Sequence, residues 1–576
     1  MFLGSIVGIL CGFGAVLFHN AIHLIKKTFF DLPAHYWGLE TLIDVHTWYS
    51  TIILILIPAI GGLLVGLMAH YFVSAKKGEG IPNVIDAVAS RGGIIKGSVG
   101  FLKTLGSAIS IGTGGAGGRE GPIVQMGSAI GSNVGRYLSL SPDKLKILVG
   151  CGAAAGLSAA YNAPLGGALF AMEIILRTFN ARSFSPIIVA SVFGTVVSRS
   201  YLGAEPAFTI PKYQLNSNYE FIFYLILGVL AAFTAVYFVR MFLKIDDVFD
   251  KIHKIPNYIK PAIGGVIVGI IGVYLPGVYG FSSSSINQAL NHQASFLILL
   301  VLMFLKPVAT GFTIGSGGNG GTFSPSIFTG AMLGGAFGML VNYLFPEIAA
   351  PPGAYVLVGM GAVVAGTTNA SLTALIMVFE MTNNYKIILP LMLTIIISTT
   401  LSKAILKGSL YTLKFDREGK GIDIYGRKVS VLKNIKISGL VEPFKDVVTE
   451  NYSFQNLMDA VKNSKYNTLL VRSESDNLIG QISFQDIRDA ILDEETRNIL
   501  YFLVAGDLME SKVRTISSDV NAEEAILIME KYDLEFLPVT NKSTGKYIGI
   551  VSREIILKKY QNELFIQQSE NDLALT

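Results

Sequence analysis

One carboxylate, Glu120, stands in the glycine-dense stretch Gly112-Thr113-Gly114-Gly115-Ala116-Gly117-Gly118-Arg119-Glu120-Gly121-Pro122, between two apolar runs. Glycine leaves backbone N–H groups open to a ligand, and Gly121-Pro122 is a helix start whose positive end favours an anion. The chemistry this offers is anion binding inside a membrane, with one ionisable group at the same place. The residues equally fit a glycine-rich crossing of two helices in which Arg119 and Glu120 merely pair, and at this point both readings stand. Two further stretches share the design, Gly78-Glu79-Gly80-Ile81-Pro82 and Gly320-Gly321-Thr322-Phe323-Ser324-Pro325. Three helix N-termini aimed at one point would offer partial positive charge and N–H donors, without a full cation that would hold an anion too tightly to release it.

Other chemistry is thinly represented. His19 and His23 lie one helical turn apart but have no acidic or cysteine partner close by in sequence, which suits polar residues at a membrane interface better than a metal site. Cys11 and Cys151 both sit in apolar runs, so neither a disulfide framework nor a zinc cluster is expected. No glycine-rich loop ends in Gly-Lys-Ser/Thr, which removes support for a pump driven by ATP at such a loop.

The elements that must position these residues are those of a membrane protein. Of 576 residues 51% are hydrophobic and 15% charged, with a mean hydropathy of +0.53, values that exclude an ordinary soluble enzyme. A net charge of +4 with scattered Lys and Arg gives no footprint for nucleic acid. Met1 to Ile25 is a membrane-length apolar segment without a basic leader or a small-residue cleavage site, and is expected to be a span, not a signal peptide. Apolar runs follow at Ile52 to Val73, Ile95 to Ile111, Leu145 to Ala160, Leu165 to Leu176, Ile187 to Tyr201 and Phe221 to Phe242. The second half continues through Ala262 to Tyr274, Phe296 to Phe312, Ile327 to Leu344, Tyr355 to Ala365, Leu372 to Met381 and Ile387 to Leu406. Several are too short for a straight crossing, and broken helices in a bilayer imply a buried, ligand-lined interior.

The halves repeat. Gly117 to Val124, followed by Gly127 and Gly131, aligns with Gly320 to Ile327, followed by Gly330 and Gly334. Asn162-Ala163-Pro164-Leu165 with Glu173 aligns with Asn369-Ala370-Ser371-Leu372 with Glu380, the acid eleven places after the asparagine each time. Repeats with interrupted helices mark a transporter whose site lies at the repeat interface.

From Lys414 the chain becomes charged and loses its membrane-length runs. Helix, strand, strand and helix are expected at Phe454 to Asn463, Thr468 to Arg472, Leu478 to Ser483 and Phe484 to Leu492. The order returns at Ala522 to Lys531, Phe536 to Thr540, Tyr547 to Ser552 and Arg553 to Lys559. Lys403, Lys407 and Lys414 beside the last span place this soluble part in the cytoplasm.

Gly78 to Pro82, Gly118 to Pro122, Gly321 to Pro325 and Tyr411, in this order and with Asn162 to Leu165 between them, resemble the CLC family of chloride channels and chloride/proton exchangers. The resemblance covers roughly residues 1–413. It implies that Glu120 is the gating glutamate, whose carboxylate competes with the anion and swings away when protonated or displaced. It also implies an anion-binding set of Glu79, Gly80, Ile81, Arg119, Glu120, Gly121, Thr322, Phe323 and Tyr411, with backbone N–H groups of Thr322 and Phe323 and the Tyr411 hydroxyl at the central site. Two departures stand out. Glu79 occupies a position that is commonly serine, so its carboxylate must turn away, be protonated or pair with a cation such as Lys76 or Lys77. Ile174 falls where exchangers often carry an inward-facing proton-relay glutamate, and isoleucine carries no proton; Glu173 beside it, matched by Glu380, reads as structural.

The tail resembles a tandem pair of cystathionine-β-synthase-type (CBS) domains. Such a pair can hold an adenine nucleotide (ATP, ADP or AMP) through a Ser/Thr and an Asp three places on, a spacing kept by Ser483 and Asp486 and lost at Ser552 to Ile555. The alternative is a dimerising module without ligand. The expectation is therefore a mainly α polytopic membrane protein with two internal repeats of broken helices, followed by a soluble α/β tandem CBS unit. The boundaries are 1–413 for the transport domain, 414–435 for a linker, 436–497 for the first CBS domain and 498–576 for the second with its tail. It transports chloride or a similar small anion along a path gated by Glu120, as a voltage- or pH-gated channel or a chloride/proton antiporter regulated by the CBS unit, and is not an enzyme. No cofactor is required, the assembly is a homodimer in the plasma (inner) membrane, and the rival function is a membrane-embedded nucleotide sensor.

Overall fold

The computed structural model describes residues 1–32, 48–72, 80–204, 208, 217, 219–280, 282–417, 432, 435–444, 446–464, 466–474, 477–497, 499–511, 513–532, 534–542, 544 and 546–573. Lys76, Lys77 and Glu79 lie outside the described residues. The chain divides into two compact units, Met1–Gly426 and Arg427–Thr576.

The first unit is mainly helical and follows the expected repeat. Among the described residues seven segments are long and apolar enough to cross a membrane: Phe2–Asp31, Trp48–Phe72, Ala181–Leu202, Glu220–Lys251, Phe296–Gly315, Phe323–Leu344 and Tyr385–Phe415. Pro164–Leu176, Lys260–Tyr274, Pro352–Thr368 and Ser371–Thr382 are apolar but shorter. The short helices are viable because neighbouring protein, not lipid, satisfies their exposed backbone ends.

Small residues set the packing. The Glu120–Tyr137 helix crosses Pro142–Tyr161 with Gly127 against Gly152 and Gly131 against the backbone of Leu148. Phe323–Leu344 crosses Pro352–Thr368 in the same way, with Gly330 against Gly359 and Gly334 against the backbone of Tyr355. Removing side chains at these points brings the helix backbones together, the usual basis of helix association where lipid is as apolar as leucine. Asn162 and Asn369 then end the second helix of each pair in the left-handed conformation, at φ 57° and 55°.

The two repeats are also tied by an exchange of carboxylates. Glu380, from the second half, accepts the backbone N–H groups of Leu165 (3.0 Å) and Gly166 (2.7 Å) at the start of Pro164–Phe170. Glu173, from the first half, accepts those of Leu372 (3.3 Å) and Thr373 (2.7 Å) and the Thr373 hydroxyl (2.7 Å) at the start of Ser371–Thr382. Each acid satisfies orphan donors and complements the helix dipole of the other repeat. Replacing either with alanine is expected to cost about 1–3 kcal/mol, because it leaves partly buried N–H groups without an acceptor. The check is thermal unfolding of the detergent-solubilised variants, and an unchanged midpoint for both would refute the structural role.

The Leu410–Arg417 helix, which carries Tyr411, runs past the expected domain end at 413. Lys414 pairs with Asp246 (3.3 Å) and Arg417 with Asp247 (2.6 Å), anchoring it to the end of Glu220–Lys251.

In the second unit the eight expected elements are present, and the last helix continues to Leu573. Each half adds a short leading strand, Val447–Thr449 or Ile516–Ser517, parallel to the next strand, which in turn pairs antiparallel with the third. The halves exchange segments. Ile435, Ile437 and Leu440 pack in the core built on Ile516, Leu537, Val539 and Val551, while Ala505 packs in the core built on Val448, Leu469, Val471 and Ile482. A division at 497/498 thus separates segments that share a core.

Candidate functional site

Three helix starts converge. Gly118 and Gly321 pair as an antiparallel bridge, each N–H donating to the other's carbonyl at 2.7 and 2.8 Å. This places the first turns of Glu120–Tyr137 and Phe323–Leu344 against one another. Gly80, the first residue of Gly80–Ser90, abuts the backbone of Gly121. The helix bearing Tyr411 packs on that same Gly80–Ser90 helix, and Gly80, Ile81, Gly121, Thr322, Phe323 and Tyr411 are all buried.

Glu120 is fully buried at this meeting point. Oε1 accepts the Phe323 N–H (2.7 Å), and Oε2 accepts the Ser324 hydroxyl (2.5 Å) and the Tyr161 hydroxyl (3.2 Å). The Tyr161 and Ser324 hydroxyls also touch one another. The Arg119 guanidinium lies over the Tyr161 ring, 4.9 Å from its centre. The described partners of the carboxylate are therefore a backbone N–H and two hydroxyls, a donor set that suits any small anion.

The cradle is held from behind. The Thr310 hydroxyl donates to the Ala116 carbonyl (3.0 Å) and the Thr313 hydroxyl accepts the Ala116 N–H (2.9 Å). Lys306, on the same face of Phe296–Gly315, donates to the carbonyls of Val278 (2.7 Å) and Gly280 (2.5 Å), and the Gly280 N–H donates to Gly115 (3.2 Å). Glycine-rich backbone is thus splinted by one helix and stays preorganised.

Thr322 holds the N-cap position of its helix, but its hydroxyl makes no cap bond and has no hydrogen-bond partner among the described residues. Pro325, at the third helical position, has no N–H to offer it. Ile174 is buried in the π-helical turn Ala171–Leu176, an apolar side chain where a proton relay would need an acid. In the soluble unit Ser483 and Asp486 satisfy each other in a capping box: the Ser483 N–H and hydroxyl both donate to Asp486 Oδ2 at 2.7 Å. Sequence reasoning did not find Tyr161 or Ser324, although Ser324 lies inside a stretch singled out for its neighbours.

A family model described as voltage gated chloride channel matches residues 61–403. The chain belongs to this family. A CBS-domain model matches residues 505–562. The proton/chloride exchange transporter ClcA of Vibrio parahaemolyticus is 32% identical, over 68% of this chain and 84% of that protein. The solved structure of a slow cyanobacterial chloride/proton antiporter superposes with a TM-score of 0.66 at 25% identity, covering 73% of this chain and 97% of the other. A eukaryotic CLC transporter structure covers 96% of this chain and 97% of its own at TM-score 0.62 and 19% identity, a likeness of fold. This CLC protein is a multi-pass membrane transport protein, not an enzyme.

Proposed function

We propose that the protein exchanges chloride for protons along a path closed by Glu120. The observation that carries this is the seat of the Glu120 carboxylate, which lies on donors suited to a free anion. Chloride and carboxylate then compete for one cradle, and protonation releases the carboxylate. The backbone at Gly80, Ile81, Gly121, Thr322 and Phe323 lines the path with helix N-termini, Arg119 holds the Tyr161 ring, and Tyr411 closes the opposite end. Relatives named as proton/chloride exchangers support coupling. Ile174 favours the second reading, a channel, because no acid stands at the inner relay position.

The protein works as a homodimer with one path per subunit, in the plasma membrane, with its CBS unit in the cytoplasm. Ser483 and Asp486 are the nucleotide contacts of that unit if it takes ATP, ADP or AMP, and their mutual capping favours a module that dimerises without ligand. The rival nucleotide-sensor reading gains nothing from that geometry.

The deciding measurement is the reversal potential of purified protein in planar bilayers under opposed chloride and proton gradients. Exchange predicts a potential that moves with the pH gradient at fixed chloride. A potential that follows chloride alone makes the protein a channel.

A further inference from the structure

We infer that the Ser324 and Tyr161 hydroxyls are ligands of the transported anion as well as the latch on the gate. The inference rests on the reading of Glu120 as a gate that shares its seat with the anion, and goes beyond it in naming side chains that hold the ion. When the carboxylate leaves, two buried donors lose their acceptor: the Phe323 N–H and one of the two hydroxyls, since only one of that pair can donate to the other. Tyr161, Phe323 and Ser324 are each at most 1% exposed, so bulk water does not reach them in this conformation. A donor stranded in such a place is costly, and the next occupant must accept from the same atoms. A small anion can accept from the same groups.

Both side chains sit on rigid elements. Tyr161 is the last residue of Pro142–Tyr161, directly before the left-handed Asn162, whose side-chain oxygen accepts from Arg199 Nε (2.5 Å). Its ring is held between the Arg119 guanidinium at 4.9 Å and an edge contact with Phe323 at 6.4 Å. Ser324 lies in the first turn of Phe323–Leu344, where the helix end favours negative charge. The pair also suits both states of the gate, because a hydroxyl has one hydrogen to donate and two lone pairs to accept with. It donates to a carboxylate or a halide, and turns to accept the proton of the carboxylic acid.

The test is chloride titration by isothermal calorimetry of the purified full chain in a Glu120→Ala background, which removes the competing carboxylate. Adding Ser324→Ala or Tyr161→Phe is expected to raise the chloride Kd at least about tenfold each, the loss of a hydrogen bond to a charged group. Ser324→Thr, which restores a hydroxyl, is expected to return the Kd to within about threefold of the background. A chloride Kd unchanged by both Ser324→Ala and Tyr161→Phe overturns the inference and confines the hydroxyls to holding the carboxylate, with the gate intact. A Glu120→Ala chain that binds no chloride overturns the gate reading itself, and the inference with it.

Discussion

Glu120→Gln is expected to leave chloride flux through liposomes intact while proton movement against a chloride gradient falls to the leak of the lipid. Glutamine keeps the volume of the side chain, and its oxygen can still accept the Phe323 N–H that now reaches Oε1 at 2.7 Å. It loses the two things on which the proposed gating and coupling depend. A neutral amide does not compete by charge with an anion for a helix N-terminus, so flux should no longer respond to external pH. An amide also carries no proton at any pH in reach, so nothing at this position can shuttle one. The amide nitrogen further donates where Oε2 accepted, which obliges the Ser324 and Tyr161 hydroxyls to turn and weakens the closed state. Parallel recordings with chloride-selective and pH electrodes on one vesicle preparation read both fluxes. Wild-type proton movement in the variant would show that Glu120 is not the coupling group.

The parts of this site that were legible in the sequence are those with local signatures. Glu120 and Phe323 follow dense glycine and precede proline, a pattern that needs no tertiary knowledge to read as a helix start. The repeat made Glu173 and Glu380 a pair with one role, although which helix each one caps is visible only in space. Tyr161 and Ser324 were hidden for a physical reason. Tyr161 meets Glu120 across 41 residues and Ser324 meets it across 204, and neither type is unusual in an apolar helix. The soluble unit shows the same limit. Its helices and longer strands have a period to read, whereas Val447–Thr449 and Ile516–Ser517 are too short to show one. That Ile437 belongs to the core of Leu537, not of Leu469, depends on chain path, which apolar pattern does not encode.

Gly118→Ala is expected to evict the gate without disturbing the fold. A Cβ at Gly118 would lie 2.6 Å from Cδ of Glu120, and the nearest atoms to it are all in that carboxyl group. The neighbour that must yield is the end of a flexible side chain, and the backbone at Gly118 is not among the positive-φ glycines, so alanine fits its conformation. The bridge to Gly321 uses only backbone N–H and carbonyl groups, which alanine keeps. The carboxylate then loses its bonds to Phe323, Ser324 and Tyr161, and the closed state loses about 1.5–3 kcal/mol for each charge-assisted bond not remade elsewhere. The same Cβ stands in the seat that chloride shares with the carboxylate, so chloride should bind at least about tenfold more weakly, and flux should lose most of its dependence on pH. Gly321→Ala provides the contrast. Its Cβ would also meet the Glu120 carboxyl, but the backbone nitrogen of Gly121 stands 2.8 Å away and cannot retreat without parting the two helix starts. That variant should unfold at a lower temperature, whereas Gly118→Ala should melt with the wild type. Chloride calorimetry and pH-dependent flux on Gly118→Ala decide the matter. Wild-type values in both would mean that the carboxylate does not close the path from the seat beside Gly118.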